Sequence, residues 1–257
     1  MEKIMLNIND MSVIITGGCS GLGYGMAKKY SSQGAKVTIC GRRKNKVKEA
    51  QNSLGSNVEA IVADITEIND RKKLIETSLN HGGKIDALIN NAGNMYRGQI
   101  DELNQSELLN IFNTNVISGM MLLGESKKYL AKTKGVNIFI GSVHNRRAFP
   151  GASPYAATKG ALETLTKVLA AELGGEKIRV NCVVPGGVFT EINQRAGIFD
   201  DDSAKKRLDE MASIHALGRI GTAEEIAEAV EYLICSEWTT GAILDVDGGL
   251  GLGLTNA

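Results

Sequence analysis

Seven short runs rich in β-branched residues recur along the chain, separated by longer stretches of helical period. They are SVIIT (12–16), KVTIC (36–40), VEAIV (58–62), IDALI (85–89), VNIFI (136–140), IRVNCVV (178–184) and AILDV (242–246). Most are continuously apolar rather than alternating, the pattern of strands buried on both faces. The intervening stretches predict helices near 21–33, 43–54, 67–80, 105–132, 153–173 and 222–235. Strands alternating with helices imply an α/β fold, a parallel, doubly wound sheet with helices on both faces and right-handed crossovers. Hydrophobic residues make up 43% of the 257 positions, enough for a large core. No internal repeat or linker interrupts the pattern, so 1–257 reads as a single domain. The charged stretch 190–217 follows a Pro-Gly-Gly and breaks the alternation, and it reads as a substrate flap inserted within that domain.

Charge and composition exclude several function classes. Lys plus Arg and Asp plus Glu both number 29, without the basic surplus of a dedicated nucleic-acid binder. No apolar run approaches the roughly 18 residues of a membrane span. The opening MEKIMLNIND has no apolar core of a secretory signal, so a cytoplasmic protein is expected. Cys19, Cys40, Cys182 and Cys235 are far apart and form no CxxC, consistent with reduced thiols. His81 and His215 show no metal-ligand spacing, and Asp200, Asp201 and Asp202 are consecutive and cannot all converge on one ion. No metal site is expected.

The first strand candidate runs directly into TGGCSGLG (16–23). Gly17 permits a tight turn, Gly21 lets backbone approach a diphosphate, and Gly23 lets a helix pack on the strand. The N–H groups that open the helix then face the anion. At the end of the second strand candidate the chain reads Cys40-Gly41-Arg42-Arg43. A carboxylate there suits the ribose 2′-hydroxyl of NAD, whereas arginine suits the 2′-phosphate of NADP. Two arginines at a helix start also oppose the helix dipole, and a bound anion offsets that repulsion.

The segment GSVHNRRAFPGASPYAATKGAL (141–162) carries acid–base chemistry. Tyr155 and Lys159 stand four apart at a predicted helix start and share a face. An ammonium there favours tyrosinate, so the phenol is expected below its ordinary value of ~10 and able to exchange a proton with an alcohol. Ser142 closes the fifth strand candidate at a carboxyl end, where α/β ligands bind, and its hydroxyl is placed to hold a substrate oxygen.

Together these residues resemble the classical short-chain dehydrogenase/reductases over nearly the whole chain. The match includes TGxxxGxG at 16–23, Asp64 in VADIT, NNAG at 90–93, Asn115 in NTNVIS, Ser142, YAATK at 155–159, NCVVPGGVFT at 181–190 and DVDGG at 245–249. The resemblance implies a Rossmann-type sheet of strand order 3-2-1-4-5-6-7 and an NADP(H)-dependent oxidoreductase. Tyr155 would be the acid/base, and Lys159 would lower its pKa and hold the nicotinamide ribose. Ser142 would orient the carbonyl, and Asn115 would kink its helix and hold a relay water. Cofactor contacts would come from Gly17, Cys19, Ser20, Gly21, Leu22 and Gly23, from Arg42 and Arg43, and from Asp64 and Ile65 near the adenine. Asn91, Ala92 and Gly93 would line the cofactor beside the fourth strand, and Pro185, Gly186, Val188 and Thr190 would hold the nicotinamide amide. A homotetramer, a dimer of dimers, is also implied.

HNRRAFPGASPY departs from the asparagine-rich stretch typical of bacterial 3-oxoacyl carrier-protein reductases, and PYAATKGA is more similar to members acting on sugar acids and polyols. Arg97, Arg146 and Arg147 fall in loops at strand carboxyl ends, and with Ser142 and His144 they are candidate contacts for a polar or anionic small-molecule substrate. The alternatives are a 3-oxoacyl thioester reductase and, from another class, a non-catalytic NADP-binding regulatory protein.

Overall fold

The structure, a computed structural model, describes residues 6–190 and 210–253. The seven strands are β1 (Ser12–Thr16), β2 (Lys36–Gly41), β3 (Val58–Val62), β4 (Ala87–Asn90), β5 (Val136–Ile140), β6 (Arg179–Pro185) and β7 (Ile243–Val246). They form one parallel sheet of order β3-β2-β1-β4-β5-β6-β7, as expected. The chain winds outward from β1 to β3 and then returns to β4, with Ile15 in register with Ile39 on one side and Ile89 on the other. That reversal opens a crevice at the carboxyl ends of β1 and β4, where ligands of such sheets bind.

The α-helices lying wholly within the described residues are α1 (Gly21–Ser32), α2 (Lys44–Leu54), α3 (Ile68–Gly82), α4 (Gln105–Phe112), α5 (Ser118–Thr133), α6 (Ser153–Leu173) and α7 (Ala223–Cys235). Successive strand residues point to opposite faces, so Val13 and Ile15 pack with Met26, Val47 and Ile226 from α1, α2 and α7. Ile14 packs on the other face with Leu74, Leu122 and Leu162 from α3, α5 and α6. Each such fully buried side chain contributes about 1.5–3 kcal/mol. Helix starts follow local chemistry. Thr222 and Glu225 form a reciprocal capping box before α7, and Asn104 accepts from the Ser106 N–H at 2.8 Å before α4.

The single helix expected over 105–132 is instead α4 and α5 joined by a π-helical turn, Asn113–Ile117. That turn, with one extra residue in its hydrogen-bonded ring, carries Asn115. Of the stretch 190–217, residues 191–209, with Asp200, Asp201 and Asp202, lie outside the described residues. No helix among the described residues is long and apolar enough to cross a membrane.

Candidate active site

The glycine turn is built by exclusion of side chains. Gly17 has φ +65°, and a Cβ on it would lie 2.9 Å from the Ala92 Cα. A Cβ on Gly23 would stand 2.5 Å from the Gly17 carbonyl oxygen. Thr16 and Asn91 lock the turn from beneath. The Thr16 hydroxyl accepts from the Asn91 and Ala92 N–H groups at 3.0 Å each, and Asn91 Nδ2 donates to the Thr16 carbonyl at 2.9 Å. The first turn of α1 carries no acidic side chain, and Ser20 makes no capping bond to it. Its N–H groups therefore remain as donors at the crevice, an anion site by geometry and dipole.

A continuous cleft runs from this turn, past the end of β2, to Tyr155. It is lined by Gly17, Ser20, Gly21, Leu22, Arg42, Asp64, Ile65, Asn91, Ala92, Gly93, Pro185, Gly186, Val188 and Thr190 among the residues singled out for cofactor. Cys19, Gly23 and Arg43 are not among the residues that line it. Gly23 is consumed in helix–turn packing. Arg43 donates to the Ser20 hydroxyl at 3.3 Å. Cys19 is turned beneath Gly41 and buried, and burial pushes its thiol up to about 11 despite the nearby Arg43. At neutral pH that sulfur is a protonated, weakly reactive thiol. All four cysteines are free and buried.

At the end of β2, Arg42 reaches across to the third strand's loop. Its Nη1 lies 3.7 Å from Asp64 Oδ2, and its Nη2 donates to Asn94 Oδ1 at 3.4 Å. The guanidinium is more than half exposed, so this loose pair is worth little and is readily exchanged for a stronger acceptor.

The chemical end of the cleft is formed where β5 and α6 meet. Pro154 sits in the first turn of α6, where a missing N–H costs nothing, and Tyr155 and Lys159 follow on one face. Both are buried, and Lys159 Nζ donates to the Ile140 carbonyl at 2.7 Å and stands 5.5 Å from the Tyr155 ring centroid. The expected depression of the phenol is corrected here. Burial raises Tyr155 to about 12, outweighing the lowering from the Ser142 hydrogen bond and the Arg97 charge. Burial likewise lowers Lys159 to about 8. In a closed, weakly polarisable site both groups are driven toward their neutral forms.

Asn115 is buried behind this pair. Its Oδ1 accepts from the Asn94 N–H at 2.8 Å, and its Nδ2 donates to the Asn94 carbonyl at 2.9 Å and to Thr158 Oγ1 at 3.0 Å. The side chain thus braces the backbone beside Gly93, on which a Cβ would lie 3.8 Å from Lys159 Nζ.

Of the substrate candidates, Ser142, His144 and Arg97 line the cleft. Arg146 and Arg147 are not among the lining residues. Arg146 is held by Glu163 at 2.8 Å and Asp245 at 3.1 Å, and these two carboxylates neutralise it and raise its pKa further. Arg147 lies on the turn that carries its N–H to the Val143 carbonyl, off the cleft wall. The cleft also includes Asn94, Met95, Phe149, Gly187 and Met211, which sequence reasoning did not single out. His215, without metal-ligand spacing in the sequence, is buried and accepts from the Gly187 N–H at 3.1 Å through Nε2, while its Nδ1 donates to the Met211 carbonyl at 2.7 Å.

Comparisons with known proteins agree with this geometry. Residues 17–251 match the family model described as Enoyl-(Acyl carrier protein) reductase. The 3-oxoacyl-(acyl-carrier-protein) reductase FabG of Chlamydia muridarum is 31% identical, over 97% of this chain and 100% of that protein. The chloroplastic tropinone reductase homolog At2g29260 of Arabidopsis thaliana is 32% identical, over 98% of this chain and 79% of that protein. The crystal structure of 3-ketoacyl-(acyl-carrier-protein) reductase from Brucella melitensis complexed with NADH superposes with a TM-score of 0.86 at 30% identity, covering 95% of this chain and 99% of that one. Likeness of this extent in both sequence and fold makes the chain a member of the short-chain dehydrogenase/reductase family of oxidoreductases.

Proposed function

We propose that the protein uses NADP(H) to interconvert a ketone and a secondary alcohol, with Tyr155 exchanging the proton. The observation that carries this reading is the meeting of the Ser142 hydroxyl, the Tyr155 phenol and the Lys159 amine on the wall of the same cleft that begins at the glycine turn. The turn fits a dinucleotide, because Cβ atoms at Gly17 and Gly23 would collide with backbone and the first N–H groups of α1 stay uncapped. The cofactor, when bound, supplies or accepts the hydride. Arg42, with Gly41 where an acid would repel phosphate, favours NADP(H) over NAD(H).

Ser142 donates to the substrate oxygen and fixes the carbonyl's position. Tyr155 holds its proton through neutral pH and gives it to that oxygen as negative charge develops. Lys159 has further N–H donors beyond the one on Ile140, and these are available to a cofactor ribose. Asn115 braces the Asn94 backbone beside Gly93.

Arg97, which lines the cleft, is the candidate to recognise a polar or anionic ketone such as a sugar-acid derivative. A second reading, reduction of 3-oxoacyl thioesters, is favoured by the Chlamydia and Brucella relatives. A cytoplasmic homotetramer belongs to the same proposal. Leu109, Ile117, Met120 and Met121 leave an exposed apolar face along α4 and α5, and light scattering tests its burial between copies.

The discriminating experiment follows NADPH consumption with anionic hydroxyketones, ethyl acetoacetate, tropinone and acetoacetyl-coenzyme A. Preference for the anionic ketones supports the Arg97 reading, and preference for the thioester supports the second. NADPH binding without turnover of any compound would instead favour a regulatory protein.

A further inference from the structure

His144 stands between Arg97 and Ser142, and its hydrogen bonds fix where its proton lies. Its Nε2 is 3.3 Å from Arg97 Nη2, and its Nδ1 is 3.1 Å from Ser142 Oγ. A guanidinium nitrogen can only donate, so Nε2 must present its lone pair. A neutral imidazole then carries its single hydrogen on Nδ1, where the partner is the serine oxygen. The backbone N–H of His144 points at the same oxygen from 3.4 Å. With two donors directed at Ser142 Oγ, the serine's own hydrogen is left for another acceptor, and the Tyr155 phenol is a hydrogen-bond partner of that hydroxyl. The imidazole is also held in orientation, since its centroid is 4.5 Å from Phe149 and 5.1 Å from Tyr155, which it meets edge-on at 86°.

We propose that His144 is a positioning residue for the acid–base step: locked as the Nδ1–H tautomer by Arg97, it makes Ser142 a one-way donor toward the Tyr155 and substrate oxygens. Without it, the Ser142 hydroxyl is free to rotate and to donate back to its neighbours, away from the reacting oxygen. The chain of bonds runs Arg97 to His144 to Ser142, each link donating in the same sense, so Arg97 acts on the chemistry through His144 as well as facing the cleft. The inference rests on the proposed acid–base role of Tyr155 for its kinetic consequence, but not for the tautomer.

The tautomer is read without any substrate. In protein labelled with ¹⁵N-histidine, the His144 signals are assigned by their loss in His144→Asn. A protonated Nδ1 and a bare Nε2 are expected, and a protonated Nε2 in the wild type would overturn the proposal. The kinetic arm uses NADPH with ethyl acetoacetate and acetoacetyl-coenzyme A. An asparagine amide can stand in for Nδ1–H, whereas glutamine reaches toward the Nε2 position and leucine offers no donor. His144→Asn should keep most of the wild-type kcat. His144→Gln and His144→Leu should each lose ~10-fold or more in kcat, about 1.4 kcal/mol, with the KM for NADPH and the melting temperature unchanged. Equal rates in all three, or equal losses in all three, would overturn it. Tyr155→Phe measured alongside separates the two claims. If that variant turns over normally the proposed function fails, whereas a dead Tyr155→Phe beside indifferent His144 variants defeats this inference alone. Should neither probe be reduced by the wild type, the tautomer measurement decides by itself.

Discussion

The Cys19 sulfur lies under Gly41, so close that a Cβ on Gly41 would stand 3.2 Å from Sγ and 3.5 Å from the cysteine Cβ. The absence of an acid at the end of β2 is therefore tied to the residue chosen inside the glycine turn. The wild type should bind NADPH at least ~10-fold more tightly than NADH, one decade being about 1.4 kcal/mol. Gly41→Asp with Arg42→Ala should reverse that order. The new side chain has to push Cys19 aside, at about 1–2 kcal/mol of stability, and Cys19→Ala should recover part of the loss in the Gly41→Asp background while costing stability alone. Cofactor titration by nicotinamide fluorescence and urea unfolding check both halves. Equal affinities in the wild type would remove the role given to Arg42.

Lys159 makes a prediction of sign. Burial brings it from 10.5 to about 8. Between these values the unfolded chain binds more protons than the folded one, so this residue makes stability rise with pH across that window and is a constant penalty below it. The gap is worth about 3 kcal/mol at most. Lys159→Met should be inactive. Its stability relative to wild type should be most favourable near pH 7 and should decline by up to about 3 kcal/mol toward pH 10 as the wild-type penalty disappears. Unfolding curves at the two pH values test this, and a difference that does not change with pH contradicts it.

Tyr155 gives the two reaction directions different pH profiles. Reduction needs the protonated phenol, which burial preserves well above neutrality. Alcohol oxidation needs the phenolate, whose share grows about tenfold per pH step below the pKa. Reductive kcat/KM should be flat across the neutral range while oxidative kcat/KM keeps climbing to about pH 10. An oxidative plateau reached near neutrality would show a depressed phenol instead.

His215 joins the segment after residue 209 to the loop carrying Pro185–Val188. Removing its ring leaves the Gly187 N–H and the Met211 carbonyl without that partner. His215→Ala should cost about 2–4 kcal/mol, combining unmet polar groups and lost packing. Gly187→Ala should act on the same contact, since its Cβ would lie 2.8 Å from His215 Cε1. Both should raise the KM for NADPH, and a variant with unchanged stability and KM would dismiss the strut.

The sheet was legible because its strands are covered on both faces and read as unbroken apolar runs such as VNIFI. The glycine turn was legible because side chains are sterically forbidden at fixed spacings. Other features depend on contacts between distant segments. Arg146 looks like an anion receptor until α6 and β7 bring Glu163 and Asp245 against it. His144 has no visible partner until the loop after β4 delivers Arg97 from 47 positions away. The direction of the phenol's shift is hidden in the sequence for the same reason. Spacing places Lys159 beside Tyr155, whereas the depth of burial that outweighs the charge is a property of the closed fold.

The central claim is that Tyr155 exchanges the proton with substrate, and single-turnover reduction by Tyr155→Phe tests it most directly. The substitution keeps the ring and removes the hydroxyl. The account predicts a loss of at least ~100-fold in the hydride-transfer step with NADPH affinity unchanged, because the proposed diphosphate and 2′-phosphate contacts are at the glycine turn and Arg42. A phenylalanine variant retaining more than about a tenth of the wild-type rate would contradict it.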